Sequence, residues 1–344
     1  MDVTLFDYKL PRELIAQFPV RSRDKSRLLV LDRETGFVRH TKFREITSYF
    51  EKGDVLVVNN TRVFKARLWG KRATGARVEV FLVRKSDKSP ETWQALVSPS
   101  KRVKEGEEIH FDNYRLTLVK YYGLGSWEIR FNSKTSRERI IAGFGHVPLP
   151  HYINRDDQPS DIRRYQTLFA AKEKIGAVAA PTAGFHFTRP VLEKIKKRGV
   201  QVVELTLHVG PGTFKPIKTD DINEHVVDPE YAELDSKAAE KINKARKAGG
   251  RIFAVGTTSV RTLESAEVVD GLIQPFSGMV DLYIKPGYRF KVVELLITNF
   301  HLPKSSLLVL VSAFAEREKI LTAYHEAIKS KYRFYSYGDA MLIL

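Results

Sequence analysis

Between Ala66 and Phe131 the chain breaks into short segments of alternating apolar and polar residues, which interrupt a different pattern on either side. Ala66 to Trp69, Arg77 to Arg84, Trp93 to Val97, Glu108 to Phe111, Tyr114 to Tyr121 and Trp127 to Phe131 are rich in β-branched and aromatic residues. Turn residues separate them at Gly75, Ser89-Pro90, Gly106 and Gly123 to Gly125. A period of two with such punctuation marks half-buried strands, and six of them predict a small antiparallel barrel or sandwich. Before this stretch, Val55 to Val58 reads as a fully buried strand. After Ser136, apolar runs, polar or glycine-rich motifs and amphipathic stretches recur, which is the logic of an α/β domain. The spacing therefore predicts an all-β unit at 61–150 inserted into an α/β unit made of 1–60 and 151–344.

The second pattern places small polar residues after apolar runs. Val178 to Ala180 leads into Thr182 to His186, with Thr188 as the N-cap of a helix reaching Arg198. Val202 to Leu207 leads into His208 to Thr213. Ser236 to Ala248 reads as an amphipathic helix. Arg251 to Val255 opens into the turn Gly256 to Ser259 before a helix over Val260 to Val268, and Leu295 to Ile297 opens into Thr298 to His301. With Asn59-Asn60-Thr61, five strand ends carry hydrogen-bonding residues. Parallel α/β sheets bind ligands at the carboxyl ends of their strands, so Asn59, His186, His208, Thr257 and His301 are expected to line one cleft.

The Gly256-Thr257-Thr258-Ser259 turn can aim backbone N–H groups at a phosphate or carboxylate, with Arg261 as a bidentate partner. By itself it fits a Ser/Thr-capped helix with a surface Arg equally well. Each His can act as a base or bond a ribose hydroxyl, although a lone His is more often structural. Glu264 reads as an exposed helix carboxylate. No His pair has a helical metal-ligand spacing, so no metal is expected.

Cysteine is absent, which excludes disulfides, thiolate nucleophiles and Cys-held zinc or iron–sulfur centres. No run approaches the roughly 20 apolar residues of a membrane span, and the first ten residues carry Asp2, Asp7 and Lys9, so a cytoplasmic protein is expected. The net charge of +16 is concentrated: residues 60–104 hold twelve Lys and Arg against three Asp and Glu. Counterion release rewards such a patch on a polyanion, and Arg62, Lys65, Arg67, Lys71, Arg72, Lys101 and Arg102 are the candidate nucleic-acid contacts.

Several of these strings resemble the ribosyltransferase-isomerase family called QueA. Residues Gly176 to Thr188 are similar to its APTAG-x-HFT element, and Val255 to Ser265 to its VGTTSVRTLES element. Thr298 to Ser305, Tyr332 to Met341, Asp54 to Arg62 and Arg27 to Val30 continue the match. Departures stand at Pro211, at His151 and at Asp228, where the family pattern has a histidine, so no imidazole role carries over to that position. The resemblance implies a large distorted α/β barrel-type domain with an inserted small antiparallel β-barrel domain. It also implies a reaction in which S-adenosylmethionine donates its ribosyl group to the aminomethyl group of a 7-deazaguanine at the tRNA wobble position. Methionine and adenine leave, and the ribose becomes an epoxycyclopentane.

Such chemistry requires a base for the C5′ proton beside the sulfonium, donors for departing adenine and a water-poor pocket. His186, His301 and His208 are the expected catalytic group. Asn59, Asn60, Thr182, Gly184, Thr257, Thr258, Ser259, Arg261, Asn299 and Lys304 are the expected substrate contacts. S-adenosylmethionine is expected as cosubstrate without a resident cofactor, and a monomer is expected. A tRNA-modifying enzyme of other chemistry, such as a base-exchanging transglycosylase, and a non-catalytic RNA-binding module remain alternatives at this level.

Overall fold

The computed structural model describes residues 1–86, 88–214 and 216–344, with side chains for all of these except Thr213 and Phe214. Asp87, counted in the basic stretch, and the Thr213 side chain of the strand-end motif lie outside the described residues.

A nine-stranded mixed sheet organises the α/β part. Its strands run in the order Phe276–Val280, Glu230–Leu234, Gln201–Leu207, Val55–Asn59, Ile252–Val255, Leu295–Asn299, Ala340–Ile343, Arg27–Leu31, Val38–Lys42. Gln201–Leu207, Val55–Asn59, Ile252–Val255 and Leu295–Asn299 are mutually parallel, so their carboxyl ends reach one rim; the next strand, Ala340–Ile343, runs antiparallel. Alternation divides the side chains between two cores. Val55, Val57, Ile252, Ala254 and Leu296 join the cluster under the helices Ser236–Lys247, Gly256–Ser265, Ser306–Ala315 and Arg317–Lys329. Leu56, Val58, Phe253, Val255 and Ile297 join the opposite one, with Val191 and Ile195 of the helix Arg189–Lys197. Burial on both faces explains why these strands read as continuous apolar runs.

All six expected strands of the antiparallel part form, and they close on themselves. Arg67–Lys71 pairs with Arg77–Lys85, and the ladder continues through Thr92–Ser98, Ser126–Phe131, Tyr114–Gly123 and Glu108–Phe111 back to Lys71, opposite His110. Closure brings backbones near the axis: a Cβ on Gly70 would lie 2.5 Å from Ile109, so a side chain there does not fit. Ile140, from the helix Lys134–Phe144, packs into this barrel's core.

Three local expectations change. The strand is Ile175–Ala177, paired with Arg62–Val63, while Val178 to Ala180 is irregular. Gly256 to Ser259 is not a turn before a helix but its first turn, made possible by φ of 83° at Gly256. Thr188 stands at the N-cap of Arg189–Lys197, yet its side chain accepts no capping hydrogen bond. Among the described residues no helix is long and apolar enough to cross a membrane.

Candidate functional site

A cleft of about 600 Å³ opens where the strands Ile252–Val255 and Leu295–Asn299 end. Thr182, Thr257, Thr258, Asn299 and His301 line it, so five of the expected residues meet there. Sequence reasoning missed Tyr152, Phe300, Ser305, Tyr335 and Ser336 in its walls. Tyr332 to Met341 belonged to a matching string, but nothing local said that Tyr335 turns inward; its φ of 69° does that. The Tyr152 and Tyr335 rings lie 4.7 Å apart, and burial pushes both phenols up, so they stay protonated donors.

The Gly256–Ser265 helix points its amino end into this cleft. Its first-turn N–H groups have no acceptors within the helix, and an anion there is stabilised by the helix dipole. Thr258 adds a buried hydroxyl that has no hydrogen-bond partner among the described residues. Opposite, His301 Nε2 meets Thr298 Oγ1 at 2.8 Å, and its backbone is held by the hydroxyls of Tyr8 and Tyr324. No hydrogen bond engages His301 Nδ1 among the described residues. Desolvation lowers this imidazole to about 3, so it is neutral at ordinary pH.

His186 stands behind the cleft wall. Its Nε2 receives the Asn299 amide at 3.1 Å and its Nδ1 meets Ser26 Oγ at 2.8 Å. Ser26 donates to the Arg23 carbonyl, which assigns the imidazole proton to Nδ1 and leaves Nε2 as the acceptor. Burial first, then the charges of Arg23 and Arg333, lower this His to about 3. Asn299 also donates to the carbonyls of Tyr335 and Asp339 and accepts from Thr182 Oγ1 at 3.0 Å. His186 therefore positions Asn299 and Thr182 and does not reach the cleft itself.

The expectation of one cleft for Asn59, His186, His208, Thr257 and His301 is corrected: only Thr257 and His301 line it. Asn59 accepts from the backbone N–H of Thr61 and Leu207 and donates to the Leu207 carbonyl, which consumes its amide. Asn60 is tied to Glu204 and Thr206. His208 Nδ1 meets Thr61 Oγ1 at 2.7 Å, and its ring stacks on Tyr231. Burial, and then Lys174, lowers its pKa. Gly184 packs where a Cβ would sit 2.8 Å from Thr167.

Ser259 is fully buried and donates back to the Val255 carbonyl, four residues earlier. Arg261 points away from the cleft. It pairs with the buried Glu230 and donates to the carbonyls of Val280 and Leu282, so its guanidinium is engaged inside the protein. Lys304 pairs with Asp7 at 2.8 Å. Glu264 is not an exposed carboxylate: it is buried and accepts from the backbone N–H of Lys291, Val292 and Val293. Among the described residues no three His, Cys, Asp or Glu side chains gather as metal ligands.

The basic stretch divides. On the barrel, Arg67 lies 2.9 Å from Glu79, and Arg72 pairs with Glu107 in contact short enough to raise its pKa and lower that of Glu107. Lys71, Lys101 and Arg102 are exposed, and Lys65 Nζ approaches the Ala142 carbonyl. Arg62 lies on the short strand Arg62–Val63, outside the barrel's sheet. It lines a wider groove of about 1230 Å³ with Arg23, Arg163, Arg164 and Arg189, four arginines that sequence spacing did not single out.

Comparison with known proteins adds to this geometry. A family model described as "Queuosine biosynthesis protein" matches residues 3–343. A relative from Desulforamulus reducens, named S-adenosylmethionine:tRNA ribosyltransferase-isomerase, is 47% identical over 347 residues, with 100% of each chain covered. The crystal structure of S-adenosylmethionine tRNA ribosyltransferase from Thermotoga maritima is 38% identical, with 99% of this chain and 100% of that chain covered and a TM-score of 0.56. With a family match spanning nearly its whole length and a full-length relative this similar, the chain belongs to the queuosine biosynthesis protein family.

Proposed function

We propose that this chain is an S-adenosylmethionine:tRNA ribosyltransferase-isomerase that binds S-adenosylmethionine in the cleft between Thr182, Thr257, Thr258, Asn299 and His301. The observation that carries this reading is a helix amino end and a neutral imidazole facing one small-molecule cleft in a chain of this family. The methionine carboxylate sits on the N–H groups of the first turn of Gly256–Ser265, with the unpartnered Thr258 hydroxyl as a further donor. No cation is needed there: Arg261 and Lys304 are engaged by Glu230 and Asp7. The Tyr152 and Tyr335 rings suit the sulfonium, whose charge an aromatic face attracts.

In this arrangement His301 accepts the C5′ proton, which the adjoining sulfonium acidifies, as electrons leave with adenine from the ribosyl ring. The tRNA amine then adds to C4′ of the opened ribosyl chain and gives up a proton, C5′ bonds to C1′ to close the five-carbon ring, and the oxygen left on C1′ displaces methionine from C5′ to form the epoxide. Asn299, fixed by His186, and Thr182 hold the ribosyl hydroxyls. The enzyme works in the cytoplasm as a monomer, with residues 61–150 as a unit inserted between 1–60 and 151–344.

The test is mass spectrometry of tRNA carrying 7-aminomethyl-7-deazaguanine after incubation with S-adenosylmethionine and the protein. Release of adenine and methionine with a heavier tRNA base is the expected result. Release of S-adenosylhomocysteine would assign methyl transfer instead, and release of nothing would leave an RNA-binding module.

A further inference from the structure

The groove at Arg62 differs from the basic surface of the barrel in what its cations touch. Arg23, Arg62, Arg163, Arg164 and Arg189 line it together with Thr188, and its lining contains no Asp or Glu. Arg23, Arg62 and Arg164 donate to backbone carbonyls. The side chains of Arg163 and Arg189 are exposed and make no hydrogen bond or ion pair among the described residues. The barrel instead neutralises much of its charge, through Arg67 with Glu79, Arg72 with Glu107, Lys88 with Glu128 and Arg115 with Glu108.

Holding five like charges together without carboxylates is unfavourable unless an anion joins them. The cost is visible at Arg23, which burial and then the neighbouring Arg164 bring down to about 10. A second observation lies at the same place. Thr188, at the N-cap of the nine-residue helix Arg189–Lys197, has a buried hydroxyl with no partner among the described residues, and none of them caps the helix with a side chain. The first-turn N–H groups of Arg189 and Val191 therefore have no capping side chain, and Pro190 has no N–H to satisfy.

A small pocket stands between the groove and the cleft. Ser336 lines both the cleft and a small neighbouring pocket, and Arg23 and Arg164 line both that pocket and the groove. A short, strongly held segment carries two of the arginines, Arg163 and Arg164. Asp161 begins the turn Asp161–Arg164 and is buried in a bidentate pair with Arg155 while accepting from Tyr337.

From these contacts we infer that the arginine groove, not the charged surface of the barrel, is the main seat for the sugar–phosphate backbone of the RNA substrate. Successive phosphates lie on Arg62, Arg163 and Arg189, and one sits on the amino end of Arg189–Lys197 beside Thr188. The strand then runs past Arg23 and Arg164 to deliver its base at the cleft. This inference rests on the tRNA reading above.

The test uses the full chain and measures tRNA binding across salt concentrations without S-adenosylmethionine, with adenine release from S-adenosylmethionine followed separately. Arg163→Ala with Arg189→Ala should weaken tRNA binding about ten- to a hundredfold and reduce the salt slope by about two units. S-adenosylmethionine affinity, measured alone, should not change. Arg163→Lys with Arg189→Lys should restore most of the slope, because the charge remains while the fork geometry is lost. Lys101→Ala with Arg102→Ala is the comparison on the barrel, and it should cost less than the groove variant.

If the groove variant binds like the unaltered protein while the barrel variant loses slope, the groove inference is overturned and the tRNA reading stands. If the unaltered protein binds tRNA through the groove but releases no adenine in the complete assay, the groove stands and the ribosyl-transfer reading fails.

Discussion

Asn59 and Asn299 end two parallel strands that flank Ile252–Val255 on either side, at the same rim of the sheet, and they are used in opposite ways. Asn59 folds its amide onto the neighbouring parallel strand, bonding Leu207 through both carbonyl and N–H, and so seals the gap between two strand ends. Asn299 has an antiparallel neighbour, Ala340–Ile343, and its amide crosses to elements outside the sheet at His186, Tyr335 and Asp339. One half of the rim is closed by its own side chains. The other half stays open as the cleft. Residue type is the same in both; what differs is whether the next strand continues the parallel run and supplies backbone partners.

The comparison is most exposed to failure at His301. His301→Ala should lower kcat by about 10²–10⁴, the usual contribution of a proton-transfer group, with thermal stability nearly unchanged. Steady-state adenine release measures it. A variant with full turnover would remove the open half of the rim from the chemistry.

Arg261→Ala comes next, and its expected loss is in folding. Breaking a buried ion pair costs about 3–5 kcal/mol, and Arg261 pairs with the buried Glu230. Denaturant unfolding should show that loss while calorimetric affinity for S-adenosylmethionine remains within about twofold per folded molecule. A stable variant with weakened cosubstrate binding would mean that Arg261 serves the cleft after all.

Asn59→Ala should cost somewhat less, about 2–4 kcal/mol, because the N–H groups of Thr61 and Leu207 lose their acceptor in a buried setting. Turnover per folded molecule should be retained. Loss of turnover without loss of stability would show that the two asparagines do similar work and that the closed half of the rim is functional.

Much of this was legible in the sequence, and the failures share one physical cause. The barrel strands and the parallel apolar runs were readable because burial imposes period two on half-covered strands and continuous apolarity on fully covered ones. The strand ends were readable as polar. Whether Ser259 faces a ligand or bonds its own helix at Val255 depends on one turn of helix beginning at Gly256, where a positive φ replaces the expected loop. Glu264 was misread for a related reason: a carboxylate on an amphipathic helix looks exposed unless the segment Lys291 to Val293, far along the chain, is known to offer three N–H groups. The arginine groove escaped because its members come from residues 23, 62, 163, 164 and 189, and no local spacing joins them.

The smallest expected effect concerns His186 and sharpens its assignment as a positioning residue. Its imidazole is neutral in the folded protein, lowered from 6.5 to about 3 by burial first and then by Arg23 and Arg333. The unfolded chain therefore binds a proton that the folded protein does not, throughout the window between those values. Stability is fully present above the unfolded pKa and is lost as pH falls towards the folded one, by about 1.4 kcal/mol per pH unit from this single group. Other groups titrate in the same range, so the informative quantity is the difference in slope between the unaltered protein and His186→Gln, which removes the titration and keeps a hydrogen-bonding side chain. Unfolding free energies at pH 7, 6 and 5 should fall less steeply for the variant by about that amount per unit. Equal slopes would mean that folded His186 takes up the proton as readily as the unfolded chain does. The Nε2 acceptor that fixes Asn299 would then be absent in the protonated form, and the orientation of the cleft wall would have to come from Thr182 and the carbonyls of Tyr335 and Asp339.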